Sequence, residues 1–184
     1  MVIIDIGCGA HRDPRAEVGM DFYPYAGPTG PTIVHDVTSF PWPIPDGTFD
    51  GAVSHQCIEH LPVDDSVAGD DLLFRFFDEV HRILRPTGIF EFDVPHVDGP
   101  DAFGDPTHRR FFTGGSFDFL WNPERDSLYP RKIWTLGSLR LDRAYHFGPV
   151  THYHLRKHVP SVYGVLVRIG LGRPHIIHIS LIRP

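Results

Sequence analysis

Apolar residues in this chain come in short runs cut by proline and glycine, with one stretch of helical spacing, so strands joined by irregular links are the first expectation. Val2-Ile3-Ile4-Asp5-Ile6 runs directly into Gly7-Cys8-Gly9. Such a run describes a buried strand of a parallel sheet, and glycines at its end mark backbone that something must approach closely. Glu17 to Asp21 reads as the second strand. The link between the two contains Asp13-Pro14, which leaves no room for a full crossover helix. From Phe22 to Pro31, the density of Pro24, Gly27, Pro28, Gly30 and Pro31 excludes regular structure. Thr32 to Asp36 is then a third strand, and Phe40 to Asp50 an extended proline-rich connection into a fourth, Phe49 to Ser54.

The period changes between about Asp70 and Leu84, where Leu73, Phe76, Phe77, Val80 and Leu84 line one face of a helix. Asp70 and Asp71 suit its first turn, Arg82 its last, and Arg85-Pro86-Thr87-Gly88 stops it. Gly88 to Val94 is a fifth strand. No alternation of helix and strand continues over residues 96–160, a length that points to an insertion covering a site. Within it the sequence predicts a short helix near Ser116 to Trp121 and a possible strand from Lys132 to Leu141. Val162 to Ile169 and His175 to Ile182, separated by Gly170-Leu171-Gly172 and Pro174, are expected to pair as an antiparallel hairpin at a sheet edge.

A chain of 184 residues suits one domain, 1–184, with a sizeable core. The absence of a charged-then-apolar leader and of any membrane-length apolar run predicts a cytoplasmic protein with no membrane partner. Cys8 and Cys57 lack metal or redox spacing. Charge divides the chain: residues 1–105 hold 5 Lys/Arg and 19 Asp/Glu, whereas residues 106–184 hold 12 and 4. A basic second half suits an anionic partner, although the halves also neutralise one another.

Gly7-x-Gly9, with Asp21 ending the second strand where a ribose diol would lie, implies a nucleotide-like cofactor. A dinucleotide fold wants a third glycine three residues on and an acid about 20 residues further. Here Arg12 takes that position and Asp21 comes early, which disfavours NAD. The chain instead resembles the class I S-adenosylmethionine-dependent methyltransferases of the type 11 kind. The likeness rests on Asp5-Ile-Gly-Cys-Gly9, on Asp21, on Pro43-Ile-Pro-Asp-Gly-Thr-Phe-Asp50 before strand four, and on the passage from Asp78 to Pro95.

The resemblance implies an α/β, Rossmann-like fold with a seven-stranded, mostly parallel sheet, an antiparallel edge hairpin, reduced helices and a substrate cap over 96–160. It implies S-adenosylmethionine as cofactor, with Asp5, Gly7, Cys8 and Gly9 against the methionine part. Asp21 and Phe22 would meet the ribose, Asp36 and Val37 the adenine, and His55 and Gln56 would lie just past strand four. The Asn/Asp-Pro-Pro-aromatic motif of amino-methylating DNA enzymes and the Pro-Cys nucleophile of cytosine-C5 enzymes are missing there, which argues against base methylation.

Histidine is the natural base for a protonated acceptor near neutral pH, and His108, His60 and His55 are the catalytic candidates. Asp105-Pro106 could aim His108 inward, with Arg109, Arg110 and His96 touching an anionic acceptor. Small-RNA 2′-O-methyltransferases and some quinone O-methyltransferases carry a metal-binding Glu-x-x-Glu-His after strand four. Here the window is Gln56-x-x-Glu59-His60, so no metal is expected, with Glu59 and His60 as the lesser reading. His152, His154 and His158 lack a further ligand for zinc. Arg131, Lys132, Arg140, Arg143, Arg156 and Lys157, interleaved with Tyr129, Trp134, Tyr145 and Tyr153, would suit phosphate contact and stacking. The expected activity is O-directed methylation of an anionic small molecule, a glycan or a nucleic-acid end. The alternative is a catalytically silent, cofactor-binding subunit that docks a partner through the basic half.

Overall fold

The computed structural model describes residues 1–63, 71–122, 124, 134–144 and 173–184. Seven strands lie in one sheet: β1 (Ile3–Ile6), β2 (Val18–Asp21), β3 (Ile33–Val34), β4 (Phe49–His55), β5 (Leu84–Pro95), β6 (Thr135–Ala144) and β7 (Arg173–Ile182). Their order is β3-β2-β1-β4-β5-β7-β6. The first five run parallel, while β7 pairs antiparallel with both β5 and β6. This is the mostly parallel sheet with an antiparallel edge that the resemblance implied.

Helix α1 (Leu72–Ile83) covers one face by burying Leu73, Phe76, Phe77, Val80 and Ile83. Fully burying side chains of this kind is worth about 1.5–3 kcal/mol each. Its N-cap is Asp71, whose carboxylate accepts from the Leu73 N–H at 2.8 Å, so the helix starts two residues later than expected. Phe76 and Phe77 pack against Phe90 and Phe92 of β5, which fixes that side as the core. Val53, Glu91, Asp93 and His178 take the opposite face, where Ile3, Ala16 and Val53 form a second, small apolar cluster. Between β1 and β2, and again between β2 and β3, the chain is irregular, as Asp13-Pro14 and the proline-glycine loop require.

Larger departures from the sequence reading lie further along the chain. β5 begins at Leu84 rather than Gly88, because Pro86 to Gly88 is absorbed as an irregularity in the pairing with β4, with Thr87 at φ 67°. The edge partner of β7 is Thr135–Ala144, so this part of the 96–160 region belongs to the sheet and not to a cap. Val162 to Ile169, the expected partner, lies outside the described residues. The short helix near Ser116 is a 3-10 helix over Gly114–Leu120, closed by a capping box between Thr113 and Ser116. A further helical turn, α2 (Asp101–Gly104), was not foreseen. No helix among the described residues is long and apolar enough to cross a membrane.

Candidate functional site

The end of β1 builds a cradle from backbone. Gly7 has φ 73° and donates to the Met20 carbonyl at 2.8 Å, holding the turn against β2. A side chain there would collide with Cys57 Sγ, so glycine is required for packing. Gly9, at φ 55°, is different: a Cβ would meet nothing within 4 Å. Its side faces open space beside Asp21, whose Oδ2 accepts the Gly9 N–H at 2.9 Å and whose Oδ1 accepts the Tyr23 N–H at 3.0 Å. The acid ending strand two therefore points into the glycine turn. Asp5 is buried with Oδ2 on the Asp13 N–H at 2.7 Å, while Oδ1 has no hydrogen-bond partner among the described residues. Burial raises its pKa. An open glycine cradle and an orphaned buried carboxylate oxygen fit a ligand that brings its own donors, as S-adenosylmethionine does with its ammonium and ribose hydroxyls.

Around this cradle the other expected contacts are mixed. Cys8 is buried, and desolvation pushes its thiol up to about 11. Phe22 is 69% exposed beside Asp21. Asp36 spends Oδ1 on the Thr38 N–H and hydroxyl, both at 2.8 Å, while the Val37 carbonyl accepts from Trp42 Nε1 at 3.0 Å. Gln56, at φ 48°, donates to Asp93 Oδ1 at 2.7 Å. His55 lies between two carboxylates, with Nδ1 2.6 Å from Asp93 Oδ2 and Nε2 3.1 Å from Asp13 Oδ2. The bond to Asp93 and then that to Asp13 raise it to about 9 against partial burial. As an imidazolium at neutral pH it has no lone pair to offer, which removes His55 from the candidate bases.

The second part of the site follows β4. Cys57, packed on Gly7, leads into a 3-10 turn, Ile58–His60. The segment Asp105 to Phe112 lies over this turn because the Glu59 carbonyl accepts the N–H groups of Arg109 at 2.8 Å and Arg110 at 3.0 Å. The overlay brings Glu59, His60 and His108 together, with one ligand atom of each within 4.8 Å of the others. Glu59 is 1% exposed, neither carboxylate oxygen has a hydrogen-bond partner among the described residues, and burial pushes its pKa up to about 7. His108 Nδ1 faces the Ala102 carbonyl at 3.0 Å, which makes it the N–H and leaves Nε2 as a lone pair 3.9 Å from Glu59 Oε1. The two rings meet edge to face, with centroids 4.7 Å apart. Burial, then the neighbouring His108, lowers the pKa of His60 and favours the neutral ring.

Two residues expected to hold substrate are used for structure instead. Arg110 donates to the carbonyls of Leu61 and Pro62 at 3.0 and 2.5 Å and pairs with Asp71 at 2.8 Å, tying the turn to the cap of α1. His96 is 7% exposed and its Nδ1 accepts the Asp98 N–H at 3.1 Å, organising the turn after β5. Arg109 alone of the three has an exposed side chain with no hydrogen bond among the described residues. Trp134, expected as a stacking surface, is 2% exposed and belongs to the core. Arg140 is exposed and pairs with Asp142 at 3.0 Å. The remaining basic and aromatic residues of the expected patch, and His152, His154 and His158, lie outside the described side chains. Sequence reading used Asp13 and Asp105 only as turn residues and passed over Asp93 and Thr107. The polar positions of Phe90-Glu-Phe-Asp-Val94 were the visible signal for Asp93.

Sheet order, the glycine cradle and the acid aimed into it are those of the class I S-adenosylmethionine-dependent methyltransferase fold, in which S-adenosylmethionine is the cofactor. The family match agrees, since residues 4–92 fit the family model described as a methyltransferase domain. Solved structures carry the likeness over the whole chain at fold level. A S-adenosylmethionine-dependent methyltransferase from Archaeoglobus fulgidus aligns with TM-score 0.62 at 14% identity, covering 98% of this chain and 85% of its own. Another from Mesorhizobium loti aligns with TM-score 0.59 at 19% identity, covering 99% and 90%. A putative methyltransferase from Haloferax volcanii, solved with the Trm112 methyltransferase activator, aligns with TM-score 0.57 at 13% identity, covering 100% and 82%. No curated protein matches the chain in sequence.

Proposed function

We propose that this chain transfers the methyl group of S-adenosylmethionine to an oxygen of an acceptor that reaches Glu59, His60 and His108. The observation that carries the reading is the buried Glu59 carboxylate, unpartnered among the described residues and facing two histidines, two residues from the Cys57 that packs on Gly7. S-adenosylmethionine supplies a methyl carbon on a positively charged sulfur, open to in-line displacement. Asp21, with Gly9, would hold the ribose end, and Asp5 Oδ1, which has no hydrogen-bond partner among the described residues, would accept from the methionine end. Displacement demands alignment more than covalent chemistry, and positioned groups supply it.

A hydroxyl oxygen becomes an adequate nucleophile when its proton is drawn away. His108 Nε2 and neutral His60 offer lone pairs for that, whereas imidazolium His55 does not. Arg109, exposed beside the cluster, favours an acceptor carrying negative charge, such as a phosphorylated small molecule, a glycan acid or a nucleic-acid end. The test is cofactor turnover across phosphorylated sugars, quinols, RNA ends and peptides. O-methyl product from one class is expected, falling about 100-fold or more in His108→Ala. Methylation of nitrogen, or turnover indifferent to His108→Ala, refutes the reading.

A further inference from the structure

We infer that Glu59, His60 and His108 form a binding site for one divalent first-row transition ion, against the metal-free expectation from the missing acid at Gln56. The way this ion serves methylation rests on the proposed function; its binding does not. Three donors of the kinds such ions take already converge, with one ligand atom of each within 4.8 Å of the others. Glu59 is 1% exposed and both its oxygens lack a hydrogen bond among the described residues. A buried polar group left so costs about 1–3 kcal/mol, so an unmet carboxylate aimed at two imidazoles calls for a partner.

Hydrogen bonds outside the triad set the histidines to accept a metal. Thr107 Oγ1 gives its one hydrogen to Asp105 Oδ1 at 2.6 Å, so it faces His60 Nδ1 at 3.0 Å as an acceptor. His60 Nδ1 therefore carries the N–H and Nε2 the lone pair. His108 is fixed in the same tautomer by the Ala102 carbonyl at 3.0 Å. Donation of the second ring N–H to an oxygen acceptor is the usual support of a metal-binding imidazole. Two imidazoles and one carboxylate select a transition ion such as Zn²⁺, Mn²⁺ or Co²⁺ over Mg²⁺ or Ca²⁺, which prefer all-oxygen sites. Three protein ligands leave a coordination position open for an acceptor hydroxyl; with the ion bound, the histidine lone pairs are occupied, and the ion would instead activate that hydroxyl by making it a stronger acid that gives its proton to solvent.

Tag-free full-length protein, stripped with chelator and titrated with Co²⁺ under visible spectroscopy and calorimetry, tests the site. One equivalent of Co²⁺ is expected to bind with the bands of nitrogen and oxygen coordination and to be displaced by Zn²⁺. Glu59→Gln, which keeps the side-chain volume, and His108→Ala should each weaken binding more than 10-fold, and Thr107→Val by about 10-fold through His60. Circular dichroism shows that each variant is folded; if His108→Ala is not, Glu59→Gln decides. No saturable binding of Co²⁺, Zn²⁺ or Mn²⁺, or unchanged affinity in Glu59→Gln, overturns the site. O-methylation undiminished in chelator overturns its part in the reaction while leaving the proposed function standing. Ion binding without O-methylation of any acceptor does the reverse.

Discussion

Gly7 and Gly9 stand two positions apart, both with positive φ, and should fail in different ways when given a methyl group. Either alanine costs about 1–2 kcal/mol for the left-handed backbone. In Gly7→Ala the new Cβ also collides with Cys57, adding about 1–3 kcal/mol of overpacking. In Gly9→Ala it enters open space, so the protein should stay folded yet lose affinity for S-adenosylmethionine, since that space is the cradle. Chemical denaturation with calorimetry on both variants checks this, and wild-type affinity in Gly9→Ala would place the cofactor elsewhere. Asp21→Ala should abolish binding outright, because it removes the carboxylate that also holds the Gly9 N–H. These residues were legible in sequence because glycine spacing and a strand-ending acid are local signals. Glu59 was legible only as a lesser metal candidate: its buried, unpartnered state among the described residues belongs to an overlay in which Arg109 and Arg110, some fifty positions away, bond its carbonyl.

At the scale of elements, the segment from Asp105 to Phe112 is a strap across the turn after β4, and Arg110 is its fastening. Its guanidinium joins the Leu61 and Pro62 carbonyls to Asp71, which also caps α1. Arg110→Met should lower stability by about 1–2 kcal/mol, since it removes hydrogen bonds to part-buried acceptors and loosens the cap. Acceptor KM should change little in the fraction that remains folded. A thermal midpoint equal to wild type with a raised KM would return Arg110 to substrate binding. Helix α1 was readable because Leu73, Phe76, Phe77 and Val80 keep helical spacing against β5. The edge strand β6 was read only loosely, as Lys132 to Leu141, and its pairing was missed. Thr135 to Arg140 are all exposed, so no apolar face advertised the partner, and the more apolar Val162 to Ile169 drew the assignment instead.

At the scale of the whole molecule, the sheet face opposite α1 carries a chain of charge among the described residues. Arg15 pairs with Asp13 and Glu91, Asp13 with His55, and His55 with Asp93. Asp93 lies 3.9 Å from His178, which meets Asp142 at 3.0 Å. The bonds from Arg15 lead in depressing the Asp13 carboxyl, and those from His55 and Gln56 hold Asp93 down against its burial. His55, raised to about 9 by Asp93 and then by Asp13, with Asp5 adding at longer range, binds a proton more tightly folded than unfolded. Its contribution is therefore complete below its unfolded pKa of about 6.5 and disappears as pH climbs through about 9. The stability gap between wild type and His55→Gln should be widest at pH 6 and shrink steadily toward pH 9.5, read by denaturant unfolding at each pH. Using the difference between the two proteins cancels Glu59, whose buried carboxyl gives its own loss of stability between about pH 4.5 and 7. Because His55 is nearly half exposed, added salt should narrow the gap at pH 6. A gap that stays constant from pH 6 to 9.5 would mean that His55 is neutral in the folded protein, and would return it to the candidate bases.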